Sequence, residues 1–113
     1  MFLTVIQVLI LVATIAIGVL SMVSPGSAAN FTGLNLPGAR GRTEVRAIFG
    51  GLFIGLGLAP LILRSELAYQ TVAITYLAIA AARLIGLVRD RSYDRSNGVS
   101  LLSELAFGFL LLL

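Results

Sequence analysis

The chain reads as an all-α integral membrane protein: a single transmembrane domain over residues 1–113, folded as a four-helix bundle. Three observations predict it. Of 113 residues, 58% are hydrophobic and only 12% charged, against about 25% charged in soluble domains, so lipid rather than water is the expected solvent. Apolar segments at about 2–23, 46–63, 67–87 and 98–113 are separated by polar connections. The third observation is the stretch Ala47 to Leu63, AIFGGLFIGLGLAPLIL, with four glycines and a proline inside an apolar run. In water this is poor helix material. In a bilayer the backbone satisfies its own hydrogen bonds, and glycine lets a neighbouring helix come close.

The first segment, Phe2 to Val23, has no charged residue and is long enough to cross about 30 Å of hydrocarbon. A cleaved signal peptide is the competing reading, since Ser27-Ala28-Ala29 has the small-x-small form of a cleavage site. No basic stretch precedes the run, however, and it exceeds the usual core of about 7 to 15 residues, so retention as a span is expected. Thr4, Gln7, Thr14, Gly18 and Ser21 follow spacings of 3, 7, 4 and 3, which places them on one helical face turned inward. Gln7 and Thr14 are expected to hydrogen-bond across helices. Ser24-Pro25-Gly26 then stops the helix.

Residues 24–45 form the long connection, rich in glycine and proline, and regular structure is not expected there. Asn30-Phe31-Thr32 matches a glycosylation acceptor, but the orientation derived below puts this loop in the cytoplasm. In the second segment Gly51 and Gly55 make a GxxxG pair, with Gly50 and Gly57 on an adjoining strip. A kink is expected ahead of Pro60. Arg64-Ser65-Glu66 leaves only a short connection to the third segment, where Ala78, Ala82 and Gly86 repeat every four residues. This small-residue stripe can face the glycines of the second, so these two helices are expected to form the tightest pair. VRDRSYDRSNG, residues 88–98, is a polar hairpin. The fourth helix, from about residue 98 to Leu113, is roughly 25 Å long, short of a full crossing.

Orientation follows from arginine. The first and third connections carry Arg40, Arg42, Arg46, Arg89, Arg91 and Arg95, while the opposite side offers Arg64 alone. Cationic loops are retained in the cytoplasm, so both termini are expected on the non-cytoplasmic side. The same argument accounts for the net charge of +3 and pI near 10.2 without nucleic acid, which is not an expected partner. Membrane lipids are, with a larger membrane complex or self-association as further candidates.

Composition also excludes chemistry. Without cysteine there is no disulfide, thiolate metal site or thiol nucleophile. Without histidine the commonest general base and imidazole ligand are missing. No lysine or histidine is present to activate a serine or threonine. No catalytic residue, cofactor or metal site is expected.

Arg83 and Glu104 are the charged residues inside apolar segments. Each stands about five residues from the cytoplasmic end of its helix, which places them at similar depth, roughly 7 Å below the boundary. An uncompensated arginine at mid-membrane costs about 2.5 to 3.5 kcal/mol on insertion scales, so pairing is physically motivated. Glu44 is a second possible partner for Arg83, with Thr75 and Tyr76 deeper on the same face. The pair reads either as a polar site for a small anion, lipid headgroup, quinone or proton, or as a structural contact that fixes helix register.

Glu44 and Arg46 before Gly50-Gly51 in EVRAIFGGLFIGLGL, Arg83 in AAARLIGL and Glu104 in the fourth segment together resemble a family of small four-helix bacterial membrane proteins of unknown function, loosely grouped with DoxX-like proteins. The resemblance covers about residues 40–108. It implies a four-helix bundle in which Glu44, Arg46, Arg83 and Glu104 belong together, and it brings no activity. Two functions remain in view: a non-catalytic accessory subunit of a larger bioenergetic or photosynthetic membrane complex, and a small-molecule, lipid or quinone carrier using Arg83 and Glu104.

Overall fold

The computed structural model describes residues 2–36 and 38–113, and every regular element among them is helical. Five helices follow in order: α1 Phe2–Val23, α2 Pro25–Thr32, α3 Ala39–Leu63, α4 Glu66–Asp90 and α5 Arg95–Leu112. Of these, α1, α3 and α4 are long and apolar enough to cross a membrane. Large apolar side chains such as Leu9, Leu20, Ile62, Ile74, Leu102 and Phe109 stay exposed. So much uncovered apolar surface suits a lipid surround and not water. The contacts gather into two compact units.

One unit is residues 8–63. Here α1 lies against α3 at distances only glycine permits. A Cβ on Gly18 would stand 2.7 Å from the Gly50 carbonyl oxygen, and one on Gly57 would stand 2.7 Å from that of Leu11. The small face read on α1 is the buried one from Ile10 onward: Thr14, Gly18 and Ser21 are all buried. Thr14 donates to the Ile10 carbonyl at 2.8 Å and Ser21 to that of Ile17 at 2.9 Å. Thr4, on the same face, is exposed.

The connection 24–45 departs from expectation. Ser24 does end α1, but Pro25 opens α2 instead of merely blocking α1, because its fixed φ suits a first helical position. Gly33, at φ 80°, closes that helix in the left-handed region. Helix α3 then begins at Ala39, seven residues earlier than the apolar pattern suggests, and takes π-helical form over Arg46–Gly51. Pro37, part of the expected loop, lies outside the described residues.

The other unit comprises the start of α1 through Gln7 together with Arg64–Leu113. Arg64, at φ 51°, turns the chain, and the Ser65 hydroxyl accepts the Leu67 amide at 3.2 Å to cap α4. Helices α4 and α5 pack closely. Gly108 sits under Leu77, where a Cβ would meet that side chain at 2.6 Å, and Tyr76 meets Phe107 edge to face at 5.5 Å. Ala73, Tyr76, Ala80 and Leu87 form the buried stripe of α4. Gln7 donates to the Leu110 carbonyl at 3.0 Å, the inter-helix role expected of it.

The small residues of the second and third segments divide into buried and uncovered ones. Gly50 and Gly57 are buried against Met22, Ile15 and Leu11 of α1. Gly51 and Gly55 border open space, Ala78 and Ala82 are exposed, and a Cβ on Gly86 would meet only Asp90, at 3.8 Å. The reason is geometric: Gly50 and Gly51 are neighbours in sequence and so face about 100° apart around the helix, and the strip turned to α1 is the Gly50 and Gly57 one.

Candidate intramembrane polar site

Between α4 and α5 the chain builds one connected polar cluster. Arg83 lies seven residues before the end of α4 and Glu104 nine residues after the start of α5, each about 10 Å or more of helix from the connection. The Glu104 carboxylate meets the guanidinium across the two helices. Arg83 Nε donates to Glu104 Oε1 at 2.8 Å and Oε2 at 3.1 Å, and Nη2 donates to Oε2 at 2.8 Å. This is the side-on fork of an arginine on a carboxylate, an arrangement that gives geometric specificity as well as energy.

A third member, Asn97, was not singled out from the sequence. Its Oδ1 accepts Arg83 Nη1 at 2.9 Å. Its Nδ2 donates to the Ser92 carbonyl and to Asp94 Oδ1, both at 3.0 Å. The guanidinium tip is thereby tied through Asn97 to the α4–α5 connection. The available signal was the asparagine in a polar hairpin, a residue type that ties side chain to backbone at helix starts.

The other candidates have partners elsewhere. Glu44 is held by Arg40, one turn away on α3. Arg46 donates to the carbonyl of Met22 in the last turn of α1, where a cation meets a carbonyl that lacks an intrahelical amide. Of the two acids considered for Arg83, Glu104 is the one that holds it. Tyr76 is buried, and Thr75 donates to the Thr71 carbonyl at 2.8 Å. Among the described residues no three acidic, histidine or cysteine side chains converge as a metal site.

Chemically, Arg83, Glu104 and Asn97 form a charge-neutral, bidentate clamp. Glu104 is buried, its side chain 11% exposed, while that of Arg83 is 29% exposed. The clamp joins α4 to α5 and leaves the Arg83 side chain partly exposed. No curated protein and no solved structure matches the chain. A family model described as a domain of unknown function, DUF4345, matches residues 2–113, and the chain belongs to that family.

Proposed function

We propose that the protein is a non-catalytic membrane subunit, crossing the bilayer four times with both termini on the non-cytoplasmic side, and packed as an accessory element against a larger membrane complex. The observation that carries this reading is the pair of uncovered small-residue strips, Gly51 with Gly55 on α3 and Ala78 with Ala82 on α4. In lipid, small residues favour helix association because they let backbones approach, and a strip left uncovered suits a helix of another chain. The arginine bias of the connections supports the orientation. Helix α5 is not among the helices long and apolar enough to cross a membrane, and its 18 residues span about 27 Å, so the fourth crossing rests on the pattern of the connections.

Isolation of the tagged protein from its native membrane in mild detergent tests the proposal. A stoichiometric co-migrating membrane protein is the expected result, and a lone monomer overturns the subunit role. A second reading, a carrier of a lipid, quinone or other small molecule, is favoured by the partly exposed guanidinium of Arg83. It requires that a ligand be displaced or transported, not merely bound.

A further inference from the structure

The Arg83 guanidinium has more donors than its partners use. It carries five N–H groups. Nε–H is shared between the two Glu104 oxygens, one N–H of Nη2 goes to Glu104, and one of Nη1 goes to Asn97. One N–H on Nη1 and one on Nη2 therefore donate to no group among the described residues. The acids of the connection do not take them. Asp94 Oδ1 accepts from Asn97 and its Oδ2 from Ser96, while the charged group of Asp90 lies over Gly86.

The level of this edge in the membrane decides what can meet it. Asn97, which Nη1 touches, is the third residue of α5 and is bonded to the Ser92 carbonyl in the α4–α5 connection. The tip thus stands beside the polar turn, where exposed Arg89, Arg91, Arg95 and Tyr93 mark the headgroup layer. In that layer the abundant acceptors are phosphate oxygens. Arginine suits them, since adjacent N–H groups in a plane can share one phosphate. Glu104 cancels the charge of Arg83, but the three arginines of the turn outnumber Asp90 and Asp94, leaving the surroundings favourable to an anion.

We propose that the outer edge of the Arg83 guanidinium, braced by Glu104 and Asn97, binds a phosphate oxyanion through one N–H each of Nη1 and Nη2. Lipid headgroup phosphodiester and free phosphate share this chemistry. The site rests on the proposed membrane placement of α4 and α5, and it stands whether the protein is a subunit or a carrier.

Solid-state NMR on the unmutated full chain tests it. Arg83 is the only arginine followed by leucine, so carbon-13, nitrogen-15 arginine combined with nitrogen-15 leucine identifies its signals without any variant. In phosphatidylglycerol bilayers the Arg83 Nη signals should lose intensity under phosphorus-31 recoupling, as an N···P distance of about 4 Å requires for an ordinary hydrogen bond to a phosphate oxygen. A second sample, in phosphate-free digalactosyldiacylglycerol bilayers with inorganic phosphate added, separates the sources. Loss in the first sample alone assigns the lipid headgroup, loss in both assigns any phosphate, and loss in the second alone assigns free phosphate; all three support the site. Undiminished Arg83 signals in both samples, with arginines of the connections dephased in the first, overturn it.

Discussion

Arg83 and Glu104 form a pair in which each charge depends on the other. Removing the carboxylate by Glu104→Ala strands a guanidinium still tied to Asn97, and breaking a buried pair this way costs about 3–5 kcal/mol in a protein interior. Here the expected loss is smaller, about 1–3 kcal/mol, because the Arg83 side chain is partly exposed. Joint replacement of Arg83 and Glu104 by leucine should recover most of that loss. Reversible unfolding of Arg83→Leu, Glu104→Leu and the double leucine variant in detergent measures the coupling, and additive losses would show that the pair does not act as a unit. The glycines divide just as sharply. Gly18→Ala and Gly57→Ala each force a Cβ to within 2.7 Å of a backbone oxygen, and overpacking of this kind costs about 1–3 kcal/mol. Gly51→Ala and Gly55→Ala enter open space and should leave the isolated protein as stable or slightly more so. Equal effects at all four positions in unfolding measurements would contradict the observed α1–α3 contact.

Helix ends show what could and could not be read in advance. The α4 helix closes on Arg91 at φ 52°, a conformation costing an L-residue about 1–2 kcal/mol. Arg91→Gly should therefore be more stable than Arg91→Ala by about 1 kcal/mol; no difference in unfolding free energy would count against the left-handed turn. The membrane-length helices were legible because long, mainly apolar and nearly charge-free segments such as Phe2–Val23 and Ala47–Leu63 leave few alternatives. The Arg83–Glu104 pair was legible because two lone charges in antiparallel segments fall at matching depth. Asn97 was not, since nothing local distinguishes a polar turn residue that reaches an arginine fourteen positions back. Nor was α2: Pro25 and Gly33 are its start and stop signals, but the same residues equally describe a loop. The π-helical form of Arg46–Gly51 shifts each hydrogen bond by one residue, which apolar periodicity does not encode. Arg46 illustrates the same limit: grouped by family resemblance with Glu44, Arg83 and Glu104, it instead caps α1 through Met22, a tertiary contact invisible in its own segment.

Taken whole, the molecule spends its closest glycine contacts inside its two units and leaves other small residues uncovered, and this difference separates folding from assembly. If Gly51, Gly55, Ala78 and Ala82 receive a helix of another chain, enlarging them should leave the isolated protein folded while weakening association. Gly51→Leu and Ala82→Leu add volume where Gly51 meets nothing within 4 Å and Ala82 is exposed. Their unfolding should stay close to that of the parent, within about 0.5 kcal/mol as for other uncovered positions. Recovery of the partner from native membranes should fall severalfold for at least one of them, since bulk at a small-residue interface holds the backbones apart. Leu102→Ala, at an exposed apolar position on α5 and so off these strips, is the control and should retain full recovery. Undiminished recovery with both leucine variants would show that the strips face lipid alone, and the helices' uncovered surface would then need no protein partner to account for it.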